Sequence, residues 1–209
     1  MECKECISAS VLDEWREAVF NSQEGYYCLV EEFQKRHPQE YKIITAMYRK
    51  RVVLKDCLSA MQEMNEPIYW FTLTFNNKKD INDVKSKRKD AQKFLNKISI
   101  CYVMVEEYGE DNGRYHIHGF LCFKYGRGFV DFVEWHSRQK IELMEECKLK
   151  KKVRYLTKYA VKQVPRIRKS KTMVKLVKFY VKNKRFKKHF PITYAEDYKN
   201  FIASVVNPF

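Results

Sequence analysis

Two histidines separated by one residue, His116 and His118, stand in the run RYHIHGFLCF at 114–123. In an extended chain, residues i and i+2 project to one side, so the two imidazoles converge. Neutral imidazoles at that spacing can share one divalent ion, although His-x-His also describes a packed histidine beside a hydrogen-bonded one. A nearby carboxylate adds chemical content. In VEEYGEDNGRYHIHG, the pair Asn112-Gly113 is a two-residue hairpin signal between two strand-like runs. With that turn, cross-strand partners sum to 225, which sets Glu107 opposite His118 and turns Glu106 to the other face. A loop of the other parity would exchange the two glutamates. Two histidines and one carboxylate leave coordination positions open, so such a set suits Mg2+ or Mn2+ and still admits a substrate oxygen.

The second reactive stretch is VRYLTKYAVK at 153–162. Tyr155 and Tyr159 are four apart and share one face of a helix, and Lys158 and Lys162 follow each tyrosine by three residues. A tyrosine hydroxyl can attack a phosphodiester and hold the nucleic acid covalently. A lysine beside it favours the phenolate and offsets phosphate charge. The plainer alternative is an amphipathic surface helix with solvated lysines. The setting weighs against that alternative. From Cys147 to Ala195 there are eighteen Lys or Arg and no Asp or Glu, within a chain of net charge +15, so the rest of the chain is near −3 (15 − 18). A long basic stretch beside a nearly neutral body is the footprint of a polyanionic partner.

These side chains need a scaffold. Residues 1–66 read as helical: Ser10 as the cap of a first helix bearing Leu12, Trp15, Ala18 and Val19, a second helix ending near Arg36 ahead of Pro38, and a third over about 39–64. From Pro67 the pattern changes. IYWFTLTF (68–75) is rich in β-branched and aromatic residues, residues 82–98 return to helical period with Val84, Ala91, Leu95 and Ile98 on one stripe, and SICYVMVE (99–106) and 114–123 are strands. A further strand near 139–145 and a helix over about 150–163 follow, while 129–135 is apolar and ambiguous. The order predicts an α+β fold, an antiparallel β-sheet with flanking helices. The expected organisation is a helical N-terminal extension at 1–66, a catalytic domain at 67–165 and a basic DNA-binding segment at 166–209.

Seven cysteines at irregular spacing, with no signal peptide or apolar membrane run, point to free thiols in a reducing, intracellular setting. Cys3 and Cys6 form a lone Cys-x-x-C with no second pair nearby, and a structural zinc site needs four ligands.

FTLTF (71–75), HIH (116–118) and YLTKY with Lys162, in that order, resemble the three motifs of the HUH-type rolling-circle replication initiators. These are the Rep endonucleases of small circular single-stranded DNA viruses, phages and plasmids. The resemblance covers about 68–163. It implies an RRM-like palm. It also implies a metal held by His116, His118 and Glu107, and cleavage of single-stranded origin DNA by tyrosine. Two tyrosines four apart are similar to the two-tyrosine branch, with Tyr159, flanked by Lys158 and Lys162, as first nucleophile. Candidate DNA contacts are Asn76, Arg154, Arg166, Arg168, Lys169 and Lys171. No GxxxxGK[ST] occurs, so the implied helicase, like the polymerase, comes from the host, in prokaryotic cytoplasm or a eukaryotic nucleus. Other readings are a related HUH transposase or relaxase, a non-catalytic basic nucleic-acid-binding protein, and a zinc hydrolase. The last lacks His-Glu-x-x-His and leaves the tyrosines unexplained.

Overall fold

The computed structural model describes residues 7–23, 28–75, 81–108, 114–124, 140–143, 148, 151–153, 155–156, 167–189, 197 and 200–201. The chain divides into two compact units, Met1–Lys50 and Arg51–Phe209.

The first unit contains α1 (Ala9–Gln23), α2 (Cys28–Arg36) and the start of α3 (Pro38–Gln62). Its core forms around the buried Phe33, with Trp15 tilted against it at 5.2 Å and edge-on to Tyr41 at 5.8 Å. Glu14 on α1 ties down the end of α2, reaching Arg36 at 2.6 Å and His37 at 3.1 Å. The cap of α1 differs from the expected Ser10. The Val11 amide donates to Ser8 Oγ at 3.3 Å and the Leu12 amide to the Ser8 carbonyl, whereas Ser10 Oγ bonds Ser8 Oγ. Either serine suits the role by type, and α1 begins at Ala9, one residue before Ser10.

In the second unit the sheet has the order β4-β1-β3-β2-β5, and every strand pair is antiparallel. Its strands are β1 (Tyr69–Thr74), β2 (Ser99–Tyr108), β3 (Tyr115–Phe123), β4 (Lys140–Leu143) and the two-residue β5 (Arg168–Lys169). The expected α+β architecture is therefore present. α3 stops at Gln62, Asn65 takes a left-handed turn at φ 55°, which asparagine tolerates, and Pro67 leads into β1.

Strand alternation sends buried side chains to both faces. On one face Phe71, Leu73, Tyr102, Met104, Ile117 and Leu121 meet α4 (Ile81–Ile98) through Val84, Ala91, Leu95 and Ile98, the stripe read from the sequence. On the other, Trp70, Val103, Val105 and Phe120 meet Leu54, Leu58 and Met61 of α3, Leu156, and Met173, Leu176 and Tyr180 of α5 (Lys171–His189). The basic helix α5 is thus part of a core layer. Ser170 caps it, accepting from the Met173 amide at 3.1 Å, while the same hydroxyl accepts from the Tyr102 amide at 3.2 Å and so fastens the cap to β2. None of the described helices is long and apolar enough to cross a membrane.

Candidate active site at the head of the central strand

β3 lies at the centre of the sheet, and its first residues carry the histidines between β1 and β2. Thr72 pairs with His118 and Thr74 with His116 across β1, so both threonines share the histidine face. Thr72 Oγ1 lies 2.9 Å from His118 Nδ1, and Thr74 Oγ1 lies 3.1 Å from His116 Nδ1. On the other side, His118 Nε2 lies 2.9 Å from Glu107 Oε2.

The register corrects one expectation. Tyr108 pairs with Tyr115, Glu107 with His116 and Val105 with His118, so partners sum to 223 rather than 225. The pairing closes before Asn112-Gly113 is reached, and those two residues lie outside the described ones. A slip of two preserves parity. Glu107 therefore remains on the histidine face, and its carboxylate reaches His118 diagonally.

Glu106 turns to the opposite face. There its carboxylate accepts from Arg88 at 3.1 Å, from Arg168 at 2.5 Å and from the Tyr115 hydroxyl at 3.0 Å. Burial and the Glu106 charge together push the Tyr115 phenol well above its ordinary range.

The rings around His118 form a column. Trp70 stacks on it at 5.6 Å and His116 on the other side at 5.9 Å, with interplanar angles of 18° and 14°. Lys152 places its ammonium 4.5 Å from the Trp70 ring, and Tyr155 stands edge-on to His118 at 5.5 Å. The Tyr155 hydroxyl lies 3.5 Å from Glu107 Oε2, at the limit of a hydrogen bond. Glu107 and His118 are only 5% and 7% exposed, whereas Tyr155 is 38% exposed, so the tyrosine is the solvent-facing member of the group. Burial, reinforced by His118 and Arg114 and opposed by Glu107, lowers the pKa of His116 and keeps its ring neutral.

Adjacent ligands of an octahedral Mg2+ or Mn2+ stand about 3 Å apart, given bonds of about 2.1 Å. The His118–Glu107 separation fits that edge, and the donor types suit such an ion. Among the described residues, no three His, Cys, Asp or Glu side chains are placed to hold one ion together.

Of the residues expected at the site, the structure gathers His116, His118, Glu107 and Tyr155. Tyr159, Lys158, Lys162, Asn76, Arg154 and Arg166 lie outside the described residues, as do Cys3, Cys6 and 129–135. Arg168 is engaged with Glu106, and Lys169 and Lys171 flank the Ser170 cap. The sequence reading passed over Thr72 and Thr74. Their alternation in FTLTF was visible, but their partners depend on the pairing of β1 with β3, which no local pattern states.

Residues 68–164 match a family model, that of the replication-associated protein ORF2. This segment is a Rep-family domain. Its span contains all three motifs, FTLTF, HIH and YLTKY. No curated protein matches the chain.

Proposed function

We propose that the Rep-family domain nicks and rejoins single-stranded DNA at a replication origin through a tyrosine–DNA intermediate, and so starts rolling-circle replication. The observation that carries the reading is the position of Tyr155, exposed and with its hydroxyl 3.5 Å from the carboxylate that also meets His118. A nucleophile, a carboxylate and two imidazoles on one patch, within a Rep-family segment, suit phosphoryl transfer better than binding alone.

Under this reading His116, His118 and Glu107 hold Mg2+ or Mn2+, which when bound supplies electrostatic stabilisation of the phosphate. The chain's own residues do the rest. A tyrosine oxygen bonds to the 5′ phosphorus, the bond to the 3′ oxygen breaks, and that oxygen leaves as a hydroxyl after taking a proton. The reverse transfer, onto a returning 3′ hydroxyl, releases the tyrosine and closes the strand. Tyr159, flanked by Lys158 and Lys162, makes the first attack, and Tyr155 serves the second transfer. Lys169 and Lys171, with Asn76, Arg154, Arg166 and the free edge of the Arg168 guanidinium, contact phosphates. A helicase and a polymerase are supplied by the host.

The test is incubation of an end-labelled single-stranded origin oligonucleotide with Mn2+, followed by denaturing electrophoresis and peptide mapping of any adduct. Tyr159→Phe is expected to eliminate the adduct, and Tyr155→Phe to permit the first cleavage but impair closure. DNA attached only to Tyr155 would reverse the assignment. DNA on neither tyrosine would leave a basic nucleic-acid-binding protein.

A further inference from the structure

Both imidazoles are gripped from the same side by the same kind of group. Thr72 and Thr74 each set a hydroxyl at hydrogen-bond distance from an Nδ1, through strand pairing that fixes both partners. We infer that these threonines are positioning residues which hold the rings at Nδ1 in either tautomer, so that both Nε2 atoms stay available to a shared ion. The inference rests on the metal reading above, and its test separates the two.

The argument starts from what a hydroxyl can do. In the structure His118 Nε2 lies 2.9 Å from the Glu107 carboxylate, an acceptor, so a neutral ring carries its proton on Nε2. Nδ1 then accepts, and Thr72 donates. When Nε2 turns its lone pair to an ion, the proton leaves Nε2 for solvent and Nδ1 takes one up. Nδ1–H now donates and Thr72 Oγ1 accepts. A carbonyl or carboxylate at this place could serve only the second state, and a backbone amide only the first. A hydroxyl serves both without moving. Thr74 stands in the same relation to His116. Threonine also suits the place mechanically, because its branched side chain is stiff at χ1 and favoured in strands.

The experiment uses the full chain, stripped of metal, with ring nitrogens observed by two-bond 1H–15N correlation. Thr72→Val keeps the shape and removes the hydroxyl, and Thr72→Ser restores it. In Thr72→Val the Nδ1 resonance of His118 is expected to move toward the position of a free lone pair, while that of His116 stays. Thr74→Val should give the converse, and Thr72→Ser should return the His118 signal to wild type. Calorimetric titration with Mn2+ alone should show affinity lowered about 10- to 100-fold in either valine variant, the range for partners that orient metal-bound histidines.

An unmoved Nδ1 resonance in both valine variants would overturn the inference, as would Mn2+ affinity within twofold of wild type in both. If the wild-type chain binds no Mn2+, the metal reading fails by itself. The Nδ1 resonances then decide the grip: movement in the valine variants with recovery in the serine variant upholds it, and absence of movement overturns it.

Discussion

At the scale of single residues, neighbouring glutamates have unlike work because one peptide step reverses a side chain in a strand. Glu107 meets His118 and Tyr155, whereas Glu106 meets two arginines and Tyr115. Glu107→Gln should therefore abolish metal-dependent nicking with little loss of stability. Glu106→Ala should destabilise the domain by roughly 3 kcal/mol, because it leaves Arg88 and Arg168 facing one another half-buried and uncompensated. Urea denaturation of both variants beside the oligonucleotide assay checks the pair. A stable, inactive Glu106→Ala would mean that the roles are exchanged. Gly119 gives a second residue-scale prediction. A Cβ built there would sit 2.1 Å from the Val103 carbonyl oxygen and 2.9 Å from the Phe71 ring. The obstacle at 2.1 Å is backbone, which cannot rotate away, so Gly119→Ala should cost about 3 kcal/mol. The denaturation midpoint reports it.

At the scale of elements, most of the order was legible, because composition and period carry it. The stripe on α4 packs as read, and β1, β2 and β3 fall on the runs of β-branched and aromatic residues. What was not legible is pairing. The register between β2 and β3 followed from an assumed turn and slipped by two, and only the preserved parity kept Glu107 on the right face. The two-residue β5 has no pattern of its own, and the tie from Ser170 to the Tyr102 amide gives it its place. Packing of α3 on the sheet also predicts an alkaline sensitivity. Burial, opposed by Lys169 and aided by Asp56, pushes the Cys57 thiol from 9.0 up to about 12. The unfolded thiol gives up its proton near 9 while the folded one retains it. The resulting stability is whole below pH 9 and is lost as pH rises toward 12. Cys57→Ala should flatten the stability profile in that window, as measured by denaturation at about pH 8, 9 and 10.

At the scale of the whole molecule, the charge asymmetry has a partial structural account. α5 turns Met173, Leu176 and Tyr180 inward and leaves Lys171, Lys175, Lys178 and Lys182 exposed, spaced 4, 3 and 4 along the helix. Such spacing lines them along one side. Other lysines of α5 are turned to the protein: Lys184 approaches Asp56 at 3.8 Å, and Lys187 pairs with Glu63. Replacing the four exposed lysines by glutamine should weaken single-stranded DNA binding across sequences. The slope of log affinity against log salt should fall by up to about 3, at roughly 0.7 for each phosphate no longer neutralised. Equilibrium binding between about 50 and 200 mM salt measures it, and an unchanged slope would confine DNA recognition to other surfaces. The size and sign of the charge could be read from composition. Which lysines face solvent could not, because that depends on which stripe of α5 the sheet requires.

The closed space at Gly119 has a consequence for how sequences related to this one are to be read. The glycine adjoins His118, so in any mutational scan the two would appear as one intolerant block. Their intolerance would have separate origins. A scan read out by folding alone, such as surface display with a conformational probe, should tolerate substitution at 118 and reject it at 119. A scan read out by strand transfer should reject both. The difference between the two maps, position by position, would separate what the sheet demands from what the chemistry demands.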